Sequence, residues 1–188
     1  VWEKKNAKAA RAGGVSLMAL SLAACGSDDD TAATDTAATD TTTVTTTPAA
    51  STTSTLTAGI DSVAGGAGDD IINAGLTSAG QQTLTALDSR KGGDGTDTIA
   101  VVMKSNATPS YDSVEVYTIT ATAASTLSML GSTGVTSITN TGSSATLTIS
   151  NVALGTSLTL GNTAQGGTFN YAAADVAGTA DAATINIS

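Results

Sequence analysis

The sequence predicts an all-β fold, a β-solenoid or β-roll of short stacked strands, with a β-sandwich as the alternative. Three observations predict it. First, apolar and polar residues alternate in short runs: Ile99-Ala100-Val101, Val114-Glu115-Val116-Tyr117, Leu147-Thr148-Ile149, Leu158-Thr159-Leu160 and Ile185-Asn186-Ile187. Period two turns one face of each run toward a core. Second, Leu127, Ile138, Ile149, Leu160 and Tyr171 recur every eleven residues, with Gly131, Gly134, Gly142, Gly155 and Gly161 between them. One strand and one turn per eleven residues is the unit a stacked repeat needs. A helix could carry the same period, but the intervening residues are mostly Thr, Ser, Gly and Asn. Third, only 12% of residues are charged and 3% aromatic. A chain so poor in large side chains cannot build the usual globular core, whereas small β-branched residues suit thin layers between coils.

Ahead of the repeats, residues 1–25 read as an export signal that forms a helix. Lys4, Lys5, Lys8 and Arg11 make a basic start, and residues 15–24 (VSLMALSLAA) an apolar stretch of ten. Ten residues are too few to span a bilayer, which takes roughly twenty. The stretch ends in Leu22-Ala23-Ala24-Cys25, which resembles the bacterial lipobox. That resemblance implies lipidation of Cys25 and a membrane anchor at the mature N-terminus.

Residues 26–55 form a Thr/Ala/Asp-rich linker in which TAATD occurs twice in tandem. With almost no large apolar residue, it cannot offset the entropy cost of ordering and is expected to be disordered. The β-repeat domain is placed at residues 56–188. Its alternating pattern is still running at Ile187-Ser188, so the expectation is that the repeat array is truncated.

Charge and side-chain inventory exclude several function classes. Beyond Cys25 there are three bases (Arg90, Lys91, Lys104) against fifteen acids, a net charge of −12. Such a segment repels nucleic acid and fits a cation as partner. With no His and a single Cys, the chain has neither an internal disulfide nor the ligands of an ordinary zinc site. It also lacks the base of a Ser-His or Cys-His triad. No GxSxG, HExxH or P-loop occurs, and the chain is expected not to be an enzyme.

One motif carries chemistry. Residues 65–73 read GGAGDDIIN and residues 92–100 read GGDGTDTIA, both matching G-G-x-G-x-D-x-U-x at every specified position. The glycines Gly65, Gly66, Gly68, Gly92, Gly93 and Gly95 permit turns closed to other residues, so carbonyl oxygens can point inward. Asp70 and Asp97 at position six supply carboxylates, with Asp69 and Asp94 beside them. Gly59, Asp61 and Val63 continue the phase upstream. Asp88 falls at position six in between, although Arg90 takes the apolar slot. These repeats resemble the RTX family of calcium-binding β-rolls. That resemblance implies calcium as cofactor, held by Asp61, Asp69, Asp70, Asp88, Asp97 and the turn glycines. Without metal, the same residues would simply be tight turns.

A strict roll would place Asp61 with Asp97 on one edge and Asp70 with Asp88 on the other. If instead the stretch after Gly75 loops out, with a helical turn around residues 81–88, the two full matches stack directly.

The wider layout of residues 56–160 is similar to Caulobacter-type S-layer proteins: GIDSVAGGAGDDIINA, then TLTALDS, GGDGTDTI and serial strands such as GVTSITNTGSSATLTISN. The resemblance implies a structural, calcium-stabilised component of the cell surface or outer membrane that self-associates with lattice neighbours. A surface adhesin or glycan-binding lipoprotein, with a cell-surface glycan as partner, is the second expectation. The third is an N-terminal fragment of a secreted RTX enzyme.

Overall fold

The computed structural model describes residues 49–162, 165–177 and 183–187. The export signal, Cys25 and linker residues 26–48 lie outside them. The structure is a parallel β-solenoid. Odd-numbered strands form one sheet in the order β1 (Thr53–Thr55), β3 (Ile71–Ala74), β5 (Thr98–Met103), β7 (Val116–Ala121), β9 (Ser137–Thr141), β11 (Ser157–Gly161) and β13 (Ile185–Ile187). Even-numbered strands form two three-stranded sheets. One holds β2 (Ser62–Ala64), β4 (Ser89–Lys91) and β6 (Ser110–Asp112); the other holds β8 (Ser125–Ser128), β10 (Leu147–Val152) and β12 (Gly167–Tyr171). All strand pairs are parallel. Parallel pairing of alternate strands sets aside the sandwich, whose sheets are antiparallel.

The eleven-residue period is half a coil. Leu127, Ile138, Ile149, Leu160 and Tyr171 sit on β8, β9, β10, β11 and β12, so consecutive members alternate between sheets. On the even side Ile149 pairs with Leu127, but its other partner is Phe169, and Tyr171 stacks on Val152. On the odd side Ile138 pairs with Leu158, so Leu160 stacks on Asn140 instead. The register also shifts between Ile149 and Val152, where Asn151 adopts a φ of 56°.

Inward side chains make columns along the solenoid. Ile72, Ile99, Tyr117, Ile138 and Leu158 form one, all at most 2% exposed. Ala74, Val101 and Ile119 begin the next, continued by the buried Asn140. Each coil covers the apolar surface of the one below, so burial is gained between neighbours and not at one centre. Asn140 is only half satisfied there: its Oδ1 accepts the Ser143 hydroxyl, which in turn accepts the Ala121 N–H at 2.7 Å, while its Nδ2 has no partner.

Two expectations are corrected. Ordered structure begins before Leu56: Thr53–Thr55 is a strand paired with β3, and the Leu56 N–H donates to Asn73 O at 2.8 Å. A threonine run with no apolar content of its own gains order from its neighbour's hydrogen bonds. No helical turn forms at residues 81–88, and no α-helix occurs among the described residues. The insert is pinned by an antiparallel bridge from Leu76 to Gln82, by the Thr83 hydroxyl on Gly75 O at 2.6 Å and by the buried Leu84.

Candidate functional site

The nonapeptide corners stack directly. Ile71 pairs with Thr98 and Ile72 with Ile99, so residues 65–70 lie against residues 92–97 with an offset of 27. Asp61 and Asp88 therefore share one edge and Asp70 and Asp97 the other, as expected if the intervening stretch loops out and not as in a strict roll. The Asp94 N–H donates to Gly66 O at 3.0 Å, and the Thr96 N–H to Asp69 Oδ1 at 2.7 Å.

Close approach explains most of the glycines. A Cβ at Gly65 would lie 1.8 Å from Gly92 O and 2.2 Å from Asp70 Oδ2. At Gly92 it would lie 1.7 Å from Ser113 O and 2.1 Å from Asp97 Oδ2. Each corner thus places a carboxylate oxygen and the next coil's carbonyl where a side chain would begin. Gly68 packs against Ala50 O, while Gly93 and Gly95 take φ of 111° and 114°. A Cβ at Gly66 would make only ordinary contact with Ala50 O at 3.9 Å, so close approach does not account for that glycine.

The aspartates form a hydrogen-bonded ladder across coils. Thr52 N–H donates to Asp70 Oδ1 at 2.6 Å, Asp70 N–H to Asp97 Oδ1 at 2.7 Å and Asp97 N–H to Glu115 Oε2 at 2.8 Å. On the opposite edge Asp61 N–H donates to Asp88 Oδ1 at 3.0 Å. A buried N–H left unpaired at a corner would be costly, and a carboxylate acceptor satisfies it strongly.

The carboxylates differ in how completely they are satisfied. Asp88 also receives Thr85 N–H at 2.7 Å, and Asp61 receives Thr57 N–H at 2.8 Å. Arg90, fully buried, brings its guanidinium 4.0 Å from Asp61 Oδ2. Asp70 receives Gly66 N–H at 2.7 Å and the Thr52 hydroxyl at 2.8 Å as well as Thr52 N–H. Those donors, the Gly66 amide foremost, hold its carboxyl below the ordinary aspartate value. Asp97 is fully buried, and its Oδ2 has no partner. Burial pushes its carboxyl up, against the Asp70 N–H; the charges of Glu115, Asp70 and Asp69 push the same way as burial.

Glu115 was not among the residues picked out from the motif. It has no glycines before it, yet it keeps the nine-residue phase. Counting two nonapeptides on from Asp97 puts Glu115 at position six and buried Tyr117 at position eight. Phase alone could have found it.

Among the described residues no three acidic, His or Cys side chains converge as a metal-holding group. A cation at the Asp97 corner would need backbone carbonyls and water beside its carboxylates. The unpartnered Asp97 Oδ2 next to Ser113 O is the observation that fits one. A separate cleft of about 360 Å³ is lined by Met129, Ser132, Val135, Asn151, Val152 and Thr156.

Fold and corners together define a parallel β-solenoid with stacked glycine-aspartate turns. No family model, curated protein or solved structure matches the chain.

Proposed function

We propose that this chain is a structural, non-catalytic β-solenoid of a bacterial cell surface, S-layer-like in role and braced by calcium at its glycine-aspartate corners. The observation that carries the reading is Asp97, fully buried with one carboxylate oxygen unpartnered beside a backbone carbonyl. Calcium takes six to eight oxygens from carboxylates, carbonyls and water, and it relieves such crowding by binding the folded state alone. Lipidation at Cys25 would tether the array to the outer membrane, and self-association of solenoids would build the lattice.

The test is calcium titration of the full chain, followed by melting temperature, circular dichroism and light scattering. Millimolar calcium should raise the melting temperature and promote assembly, with magnesium a poor substitute. Equal melting in chelator and in calcium overturns the calcium brace. A chain that stays monomeric with calcium bound overturns the lattice role.

The second reading is a glycan-binding surface module. It is favoured by the mixed polar and apolar cleft lined by Met129, Ser132, Val135, Asn151, Val152 and Thr156. Retention on a cell-surface polysaccharide column, lost on filling the cleft with Val135→Trp, would support it.

A further inference from the structure

We infer that, among the described residues, this solenoid offers an added cation one place only, the corner where Asp97, the Ser113 carbonyl and Glu115 meet, because Arg90 already serves as the counter-ion of the other edge. The inference rests on the calcium reading above and narrows it to one site with a ligand outside the nonapeptide motif.

The two edges carry similar motifs but opposite electrostatics. On the Asp61–Asp88 edge, Arg90 occupies the position-eight slot that the motif gives to an apolar residue. Its inward side chain is fully buried and stacks in a column between Val63 and Tyr111. From there the guanidinium reaches Asp61 at 4.0 Å, while Asp88 spends both oxygens on Asp61 N–H, Thr85 N–H and the Thr85 hydroxyl. A divalent ion there would face a fixed positive charge that cannot be deprotonated.

Among the described residues no Lys or Arg forms an ion pair with the Asp70–Asp97–Glu115 edge. Of the two ion pairs among the described residues, one is Arg90 with Asp61 and the other Lys91 with Asp112. Within this edge the corners also differ. Asp70 Oδ2 is satisfied by the Gly66 amide at 2.7 Å. In the equivalent turn Gly93 adopts a φ of 111°, and Asp97 Oδ2 receives no such bond.

Asp97 Oδ2 and Ser113 O both converge on the space beside Gly92. Asp70 Oδ2 and Gly92 O converge in the same way beside Gly65, but there the Gly66 amide donates to the carboxylate, whereas Asp97 Oδ2 has no donor. Glu115 is held over the same corner by the Asp97 amide on its Oε2. Two carboxylates and one carbonyl leave the rest of the shell to water, which places affinity in the weak extracellular range of about 10⁻⁴–10⁻³ M.

Calcium chloride titrated calorimetrically into the full chain tests this, with circular dichroism confirming that each variant folds. The expected result is one calcium per chain. Asp97→Asn and Glu115→Gln, which keep oxygen acceptors for the ladder, should each weaken binding at least tenfold. Asp88→Asn should lower the melting temperature yet leave calcium stoichiometry and affinity unchanged. Two calcium ions per chain, one of them lost in Asp88→Asn, would overturn the single site while leaving the calcium brace standing. Wild-type binding in Glu115→Gln would remove Glu115 from the ligand set. No binding by any form would overturn the inference together with the calcium reading it rests on.

Discussion

The N–H of Asp70 donates to the carboxylate of Asp97 at 2.7 Å, across 27 residues of chain. This bond ties one nonapeptide corner to the next, and it uses one of the two Asp97 oxygens. The other is buried with nothing to accept from. The carboxylate is therefore needed for its acceptor and strained by its charge. In calcium-free buffer Asp97→Asn should raise the melting temperature, because the amide keeps an acceptor and sheds the charge. Asp97→Ala orphans the Asp70 N–H and should be less stable than Asp97→Asn by about 1–3 kcal/mol in urea denaturation.

The pH dependence should have two opposing parts. Asp97 has a raised folded-state value, so the folded chain holds its proton more tightly than the unfolded chain. Its contribution is full below the ordinary 3.8 and is lost as pH rises through the raised folded value. Asp70 is lowered, so its contribution is present above 3.8 and lost as pH falls through the depressed value. Without calcium, Asp97→Asn should remove the decline on the alkaline side, and Asp70→Asn should soften the acid transition. Melting temperatures at a series of pH values read both. A profile for Asp97→Asn superimposable on the parent's would contradict the assignment.

Gly92→Ala should be severely destabilising, since its Cβ would meet backbone Ser113 O at 1.7 Å. Overpacking against side chains costs about 1–3 kcal/mol, and a backbone carbonyl gives less. Gly75→Ala has nothing within 4 Å and should be close to neutral. Comparable denaturation midpoints for the two would show that the corner is looser than these distances say.

Arg90→Ala removes the buried counter-ion and leaves Asp61 uncompensated, at a cost of about 3–5 kcal/mol. Adding Asp61→Asn should return part of that loss. A double-mutant cycle in urea measures the coupling, and strictly additive effects would mean that Arg90 acts by packing against its column alone.

Ile119→Ala, at a fully buried inward position of β7, should cost about 2–5 kcal/mol, whereas Thr118→Ala on the outer face should change stability by less than about 0.5 kcal/mol. Equal effects would contradict the inward columns.

The sequence by itself determined the class of fold and the location of the corners. Period-two runs such as Leu147-Thr148-Ile149 fix which side chains turn inward, because strand geometry leaves no other choice. The glycine-aspartate spacing fixes where the chain must bend, because only glycine tolerates a carboxylate and a carbonyl at its Cβ position. Tertiary structure decided everything that depends on which coil lies above which. Coils of 18, 27, 18 and 21 residues put Thr53 on Ile71, Ile71 on Thr98, Thr98 on Val116 and Val116 on Ser137, a register that local periodicity does not encode. That stacking separates Asp61–Asp88 from Asp70–Asp97, recruits Glu115, and orders Thr53–Thr55 despite its polar content. It also turns Arg90, which reads as a flaw in the motif, into an internal counter-ion. The reason is common to all four: a solenoid gains its energy between coils, so a residue's role depends on neighbours 18 to 27 positions away.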